Sequence, residues 1–147
     1  MRSRSVMFGF CLMALLARGP VGAQEEAVRI DVAATLAALV EGEVNTFVDF
    51  FHDDVRGFFV DGSNMIEGMS GVAFRALLLT GLRTNLVARD LNVKTYGNTA
   101  VTGGLLAGTV RLPGGATTTG TWRYSDTRVL EDGLWKIVHY HISQLVE

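Results

Sequence analysis

The stretch that decides the fold is Thr121-Trp-Arg-Tyr-Ser-Asp-Thr-Arg-Val-Leu-Glu-Asp-Gly-Leu-Trp-Lys-Ile-Val-His-Tyr-His-Ile-Ser143. It reads as two long strands, because β-branched and aromatic residues dominate on both sides of Asp132-Gly133. Asp-Gly favours a two-residue type I′ turn, in which both central residues adopt positive φ. The sequence therefore predicts a β-hairpin with its turn at Asp132-Gly133.

That turn fixes the expected cross-strand pairs, because side chains alternate between the two faces of a sheet. On one face, the pairs are expected to be Leu130–Trp135, Arg128–Ile137, Asp126–His139, Tyr124–His141 and Trp122–Ser143. The other face takes the intervening residues, which include Val138, Tyr140 and Ile142. The first face combines aromatic rings with a carboxylate, a guanidinium and two imidazoles, a composition that fits a pocket wall.

The first 23 residues have the pattern of a secretory signal peptide. Met1 to Ser5 is basic, Val6 to Ala17 is apolar, and Val21-Gly-Ala23 fits cleavage after Ala23. The apolar run is shorter than the roughly 20 residues that a spanning helix needs, although an uncleaved membrane anchor is the alternative. We therefore expect a secreted or periplasmic protein with one mature domain, residues 24–147, and no membrane partner after cleavage.

Composition excludes several functional classes. The chain of 147 residues has a formal net charge of −2, and removal of the signal peptide with its three arginines makes the remainder more acidic. Nucleic-acid binding, which needs clustered basic residues, is therefore not expected. The single cysteine, Cys11, lies in the signal peptide, so we expect no disulfide in the mature protein. The glycines at 103, 104 and 108 lack the Lys-Ser/Thr of a phosphate-binding loop, and no cofactor is expected.

Upstream of the hairpin, the apolar spacing first indicates helices. Apolar residues recur every three or four positions from Val28 to Val40, and again from Val44 to a break near His52. Val55 to Val60 is rich in β-branched and aromatic residues and is predicted to be a strand. Met65 to Gly68 is predicted to be a short return strand.

The remaining elements are a third helix and long strands. Ser70 is expected to cap a helix from Gly71 to Thr84, with Val72 and Leu82 among its buried residues. A period of two then predicts strands over 88–96, 100–112 and 117–130. This order predicts an α+β domain, in which a curved antiparallel sheet and the N-terminal helices enclose a conical pocket.

The same order of elements carries a family resemblance. Together with Thr127-Arg-Val129, the hairpin and the upstream Ile66-Glu-Gly-Met69, it resembles the SnoaL-like branch of the nuclear-transport-factor-2-like (NTF2-like) superfamily. Within that superfamily, the mature chain resembles the association (hub) domain of calcium/calmodulin-dependent kinase and its free-standing bacterial relatives. The resemblance implies a cone-shaped fold with a pocket between sheet and helices, and dimers formed through the sheet.

The resemblance constrains function only weakly. In the kinase hub, the arginine of the Thr-Arg-Val motif lines the pocket and meets ligand carboxylates, and Arg128 matches it. Leu106 and Ile142 stand where the hub has two further pocket arginines. The superfamily includes isomerases, polyketide cyclases, dehydratases, epoxide hydrolases and non-catalytic binders, so the fold does not determine the activity.

Three hypotheses remain open for the two histidines of the hairpin. In the first, His139 and His141 are hydrogen-bonded residues of a half-buried strand. In the second, Asp126 orients His139, and the pair acts as a general base or acid while Arg128 stabilises negative charge. In the third, the histidines and His52 or Asp53 bind a divalent metal ion, although this is a weak pattern and no metal is expected.

The leading functional hypothesis is a homodimer whose pocket binds a small apolar or carboxylate-bearing molecule. If the protein is an enzyme, a cofactor-independent isomerase, cyclase or dehydratase using the Asp126–His139 pair is expected. The residues expected to bind the ligand are Arg128, His141, Tyr124 and Trp122. The alternative is a non-catalytic assembly module that oligomerises through the sheet face with Val138, Tyr140 and Ile142.

Overall fold

The computed structural model describes residues 20–146, so most of the predicted signal peptide lies outside the described residues. Three helices and six strands follow in the order α1 (Val21–Glu41), α2 (Val44–Asp49), β1 (Phe51–Phe58), β2 (Ile66–Glu67), α3 (Gly71–Leu79), β3 (Arg83–Tyr96), β4 (Thr99–Arg111), β5 (Thr117–Glu131) and β6 (Leu134–Gln144). The predicted α+β class and element order are confirmed. Several boundaries were wrong, since β1 already begins at Phe51, α3 ends at Leu79 and β3 begins at Arg83.

All six strands form one sheet in the order β2-β1-β6-β5-β4-β3. The pairs are antiparallel except β1 with β6, which are parallel. Parallel strands need a long connection between them, and here β2, α3 and the three long strands β3 to β5 provide it. Helix α1 packs across β3, and α2 packs against α1, α3 and β1. Within residues 20–146, no helix combines the length and the apolar composition that crossing a membrane requires.

Helix α1 packs on the sheet through one apolar stripe. Val28, Val32, Leu36 and Leu39 lie three or four residues apart, and all four are buried. The helix ends at Gly42, whose left-handed conformation (φ 71°) lets its N–H reach the carbonyls of the last turn. The sequence spacing thus predicted both the helix and its buried face correctly.

The hairpin has the predicted turn, with φ of 50° at Asp132 and 80° at Gly133. The pairs nearest the turn, Leu130–Trp135 and Arg128–Ile137, are also as predicted. Beyond them, β6 contains one extra residue, Val138, and Thr127 pairs with His139. This β-bulge moves every later residue of β6 to the opposite face of the sheet.

The bulge corrects the outer part of the predicted register. Asp126 pairs with Tyr140 rather than His139, Tyr124 pairs with Ile142 rather than His141, and Trp122 pairs with Gln144 rather than Ser143. Strand β1 changes its register with β6 at the same place, between Phe51 and Arg56. The parallel partner therefore accommodates the irregularity, and a count from the turn alone could not include it.

Candidate functional site

A cavity of about 120 Å³ lies between the inner face of the sheet and the three helices. It is lined mainly by apolar and aromatic side chains, from Thr35, Leu36, Leu39, Phe47, Phe51, Phe59, Ile66, Gly68, Met69, Ser70, Ala73, Phe74, Leu77, Tyr124, Ile137, Tyr140 and Ile142. Phe47 and Phe74 stack with their ring centroids 4.4 Å apart and join α2 to α3. Such a predominantly apolar, concave site is the usual form of a small-molecule pocket.

The polar groups of the lining are hydroxyls, and no charged side chain is among the lining residues that the structure describes. Thr35 Oγ1 donates a hydrogen bond to the Asp31 carbonyl oxygen at 2.7 Å. Tyr140 lies over Gly57 of β1, where a Cβ atom would come within 2.5 Å of its ring. Gly57 is therefore required for the ring to lie flat against the sheet and face the cavity.

Behind Tyr124 lies a buried cluster of charged groups. Arg128 Nε donates to Asp126 Oδ2 at 2.8 Å, and the Tyr124 hydroxyl donates to the same oxygen at 2.5 Å. Arg128 Nη2 also donates to Thr35 Oγ1 at 3.4 Å. The side chains of Arg128 and Asp126 are 0% exposed, so this ion pair is fully removed from solvent. It fixes the Tyr124 phenol from behind the cavity wall.

Burial and nearby negative charge raise the pKa values of the two tyrosines that line the cavity. Burial, followed by the negative charge of Asp126, raises the pKa of Tyr124 well above its usual range. Burial, with a smaller contribution from Asp61, raises the pKa of Tyr140 to about 12. Both phenols are therefore protonated near neutral pH, and neither has the pKa near 7 that suits a general acid or base.

The cluster is incompletely hydrogen-bonded within the described part of the chain. The polar atoms without a protein partner there are Thr95 Oγ1, Thr102 Oγ1, Asp126 Oδ1 and Arg128 Nη1. The strand register places them in two adjacent rows, with Thr102 opposite Asp126. Buried polar groups are destabilising when they are unpaired. Loss of either Arg128 or Asp126 is therefore expected to be strongly unfavourable.

Both hairpin histidines lie on the outer face of the sheet, away from the cavity. His139 is opposite Thr127 and beside Arg56 of β1. His141 is exposed, and its ring packs edge-on against Phe58 at 5.8 Å. The prediction that Asp126 and His139 are cross-strand partners is therefore wrong, and so is the prediction that His141 faces the pocket. The bulge at Val138 is the physical reason for both.

The other predicted ligand residues divide into two groups. Tyr124 lines the cavity, as expected. Arg128 and Trp122 lie on the inner side of the sheet but are buried behind the lining, Arg128 in the charged cluster and Trp122 in the apolar core. Arg128 is thus an internal support of the cavity wall, and its side chain does not line the cavity.

Sequence reasoning missed Tyr140 and Ile142, which line the cavity instead of forming an outer assembly face. A signal for them exists in the sequence. Trp135 and Ile137 alternate in one phase, whereas Tyr140 and Ile142 alternate in the other, and the phase changes at the bulge. Ile142 also lines the cavity, at one of the two positions where the sequence resemblance implies an arginine in the kinase hub.

The structure offers no geometry for the metal hypothesis. His52 Nε2 lies 3.5 Å from a carboxylate oxygen of Glu131, at the edge of the sheet, and Asp53 is exposed. Within residues 20–146, no three His, Cys, Asp or Glu side chains come close enough together to hold an ion.

Comparisons with known proteins agree with this architecture. An NTF2-like protein from Cytophaga hutchinsonii is 18% identical, with a TM-score of 0.71 over 83% of this chain and 98% of that chain. The association domain of Caenorhabditis elegans calcium/calmodulin-dependent kinase II is 22% identical, with a TM-score of 0.68 over 84% and 98%. A candidate dehydratase of the NTF2-like family from Streptomyces avermitilis is 14% identical, with a TM-score of 0.71 over 87% and 100%.

At these identities, similarity to solved structures shows the fold and not the activity. No curated protein sequence matches the chain. The family of SnoaL-like domains, in contrast, matches residues 28–147, which include every strand and about two thirds of α1. The chain therefore belongs to the SnoaL-like domain family and has the NTF2-like fold.

Proposed function

We propose that this protein binds a small, neutral and largely apolar molecule in the cavity between the sheet and α3. The observation that carries the proposal is the lining itself, which is apolar and aromatic with a few hydroxyls and no charged side chain among the described residues. A charged ligand would lose its hydration there without gaining a counter-ion, which costs several kcal/mol. An apolar ligand gains from the same desolvation.

The size of the cavity limits the ligand. Its volume of about 120 Å³ is close to the roughly 150 Å³ of an engineered apolar cavity that holds benzene in another protein. A single substituted ring therefore fits inside. Ile66 and Leu77 line the cavity and are also partly exposed to solvent, so a substituent can extend past them.

The hydroxyl groups predict which polar substituent is accepted. A carboxylate only accepts hydrogen bonds, so the Tyr124 proton is committed to Asp126 and its oxygen can only accept from a ligand. Tyr140 makes no side-chain hydrogen bond within residues 20–146 and can still donate. A neutral hydroxyl on the ligand satisfies both partners, because it donates and accepts.

Binding is better supported than catalysis. The proton-transfer mechanism with an Asp126–His139 pair has lost its geometry, since His139 lies on the outer face. The titratable groups that line the cavity are Tyr124 and Tyr140, and the raised pKa of each makes it a weak acid near neutral pH. A ligand carboxylate opposite Arg128 has likewise lost its support.

Three monocyclic probes test the proposal in thermal unfolding: toluene, p-cresol and p-toluate. Toluene and p-cresol are expected to raise the melting temperature, because a ligand of the native state at about 100 times its Kd adds about 2.7 kcal/mol. p-Toluate has the same ring with a carboxylate and is expected to have little effect. Stabilisation by p-toluate equal to that by toluene would overturn the neutral-ligand proposal.

Two variants of α3 show whether the cavity is the binding site. Ala73 lines the cavity, whereas Ala76 is exposed on the same helix and does not line it. Ala73→Phe is expected to fill the mouth and abolish stabilisation by toluene, and Ala76→Phe is expected to leave it unchanged. Equal toluene responses in both variants would place the ligand elsewhere.

We further propose that the mature protein is secreted or periplasmic after cleavage of residues 1–23. Cleavage after Ala23 removes only the first residues of α1, since the buried positions of that helix begin at Val28. The cavity residues described above are all retained. Mass spectrometry of the protein exported by a bacterial host is expected to give Gln24 as the first residue, and an uncleaved chain would contradict the proposal.

A second candidate function is assembly of two copies through the outer face of the sheet. The observation that favours it is exposed apolar side chains on that face, Val87 on β3 and Val101 on β4. The similarity to a kinase association domain also favours a role in assembly. Val101→Glu is expected to convert a dimer to a monomer in light scattering, whereas Leu134→Glu at the hairpin turn is not. A monomeric parent protein would exclude this candidate.

A further inference from the structure

Helix α3 is apolar around its whole circumference although it lies at the surface. Its sequence, Gly-Val-Ala-Phe-Arg-Ala-Leu-Leu-Leu, has Arg75 as its single polar side chain. Phe74 is buried, but Val72 is 82% exposed and Leu79 is 83% exposed. A surface helix normally places polar residues there. Contiguous apolar groups in such a position indicate a surface that another molecule covers.

The exposed face corrects the prediction that Val72 is buried. In α3, Phe74 and Leu78 point inward, and helical spacing puts Val72, Ala76 and Leu79 on the opposite side. A helix without a polar side gives the sequence no information about which face is covered. The choice is made by Phe74, which stacks on Phe47.

The exposed face is continuous with the mouth of the cavity. Ala73 and Leu77 line the cavity, and Ala73 neighbours Ala76 of the exposed face at three-residue spacing on the same helix. Met65 and Ile66, just before α3, are exposed as well, and Ile66 also lines the cavity. An apolar molecule could therefore move between the outer surface of α3 and the cavity without crossing a polar barrier.

Three arginines flank this apolar surface. Arg75 is on α3, Arg83 begins β3 just after it, and Arg111 pairs with Arg83 at the end of β4. None of the three lies within 4 Å of a carboxylate among the described residues. Arg83 Nη1 donates to the carbonyls of Leu78 (2.8 Å) and Leu82 (2.6 Å), which fixes its guanidinium beside the end of α3.

The pairing of Arg83 with Arg111 is unfavourable in the isolated chain, because like charges directly opposite each other destabilise a sheet. A negatively charged partner would relieve it. The α3 surface, defined as Val72, Arg75, Leu79, Arg83 and Arg111, thus combines exposed apolar side chains with uncompensated positive charge, in a protein whose net charge is negative.

We propose that the α3 surface docks on an anionic phospholipid membrane. Peripheral membrane helices have this composition, with apolar side chains that enter the headgroup region and basic ones that meet anionic lipids. A second copy of the chain fits less well, because a twofold-symmetric contact brings the same positively charged patch of both copies together. Docking brings the cavity mouth to the lipid. The membrane would then supply the apolar ligand, a step that rests on the proposed function.

This inference revises the expectation of no membrane partner, which rested on cleavage of the predicted signal peptide. Charge averaged over the chain conceals a local basic cluster, and the exposure of Val72 and Leu79 arises only from the packing of α3.

The test is co-sedimentation of the exported, cleaved protein that begins at Gln24 with phosphatidylcholine vesicles, with and without a minor fraction of phosphatidylglycerol. The cleaved protein is used because the basic and apolar residues 1–23 could bind vesicles by themselves. Binding is expected only when the anionic lipid is present. Val72→Ser/Leu79→Ser should weaken it about tenfold or more, since two apolar side chains lose their burial. Arg75→Gln/Arg111→Gln should weaken it by a similar factor and lessen its dependence on salt.

Ile30→Ser/Leu134→Ser is the matched control, because it removes two exposed apolar side chains elsewhere and should bind vesicles as the parent does. Equal binding by all variants, or equal binding to pure phosphatidylcholine, would overturn the proposal. Loss of self-association in Val72→Ser/Leu79→Ser with vesicle binding unchanged would assign the surface to a second copy instead. Toluene binding is measured in parallel: if it persists while the vesicle test fails, the membrane inference fails and the proposed function stands.

Discussion

The two walls of the cavity are built in opposite ways. The sheet wall is formed by Tyr124, Ile137, Tyr140 and Ile142 on two central strands, and a buried ion pair supports it from behind. The α3 wall is formed by a nine-residue helix with exposed side chains, and it is held mainly by one aromatic stack and one N-terminal cap. The first wall sets the shape of the cavity, and the second controls access to it.

This difference follows from the energetics of the contacts. Breaking a buried ion pair leaves an uncompensated charge inside the protein, which is strongly unfavourable. A helix as short as α3 is unstable in isolation and depends on its few buried contacts. Local opening is expected where such contacts are fewest. The α3 wall is therefore expected to open locally more often than the sheet wall.

The largest expected effect comes from breaking the support of the sheet wall. Arg128→Met leaves the Asp126 carboxylate buried without its partner, and the free energy of unfolding should fall by about 3–5 kcal/mol. Chemical denaturation measures the change. The matched control is Arg56→Met, whose ion pair with Glu67 is exposed (61% and 67%) and long at 3.8 Å. It should cost less than about 1 kcal/mol.

An Arg128→Met variant as stable as Arg56→Met would show that the ion pair does not hold the sheet wall. Under that outcome, the two walls would differ in polarity but not in rigidity.

The two walls also differ in how far the sequence predicted them. The order of elements, the turn at Asp132-Gly133 and the pairs next to it were predicted, because each depends on residues close together in the chain. The bulge at Val138 depends on the parallel pairing with β1, whose residues lie some eighty positions earlier in the sequence. That one residue placed Tyr140 at the cavity and both histidines outside it.

On the α3 wall, the sequence predicted the helix and its Ser70 cap but not its orientation. Amphipathicity usually identifies the buried face, but Arg75 is the single polar side chain of α3 and gives little indication of that face. Only the position of Phe47 on α2 decides that Phe74 turns inward and Val72 outward. The site could not be predicted in full, because both of its walls depend on contacts between distant segments.

The second largest expected effect is the pH dependence of stability that Tyr140 causes in the sheet wall. The pKa of Tyr140 is raised from 10.0 to about 12 in the folded protein, so folding favours its protonated form. This stabilisation is fully present below pH 10 and is lost as the pH rises through about 12. The loss should be roughly 2–3 kcal/mol at most, as each pKa unit corresponds to about 1.4 kcal/mol.

Tyr140→Phe should therefore lose less stability between pH 9 and pH 12 than the parent does. Urea unfolding at fixed pH values measures both slopes, and Tyr96→Phe on the exposed end of β3 controls for removal of a phenol from the surface. Identical slopes for the parent and Tyr140→Phe would mean that the ring is hydrated in solution, and that the sheet wall is open where it meets β1.

The smallest expected effect tests the α3 wall. The Ser70 hydroxyl accepts a hydrogen bond from the Ala73 N–H at 3.4 Å and caps the helix. Ser70→Ala should cost about 1 kcal/mol, and hydrogen exchange should locate the loss in residues 71–79, with the sheet strands as protected as before. Ser63→Ala, in an exposed turn, is the control and should change neither quantity. Since α3 makes few buried contacts, its weakened cap should show as faster local opening and faster exchange of a bound apolar probe. Uniformly faster exchange across α3 and β4 to β6 would instead mean that both walls open together. The proposed difference in stability between the two walls would then be wrong.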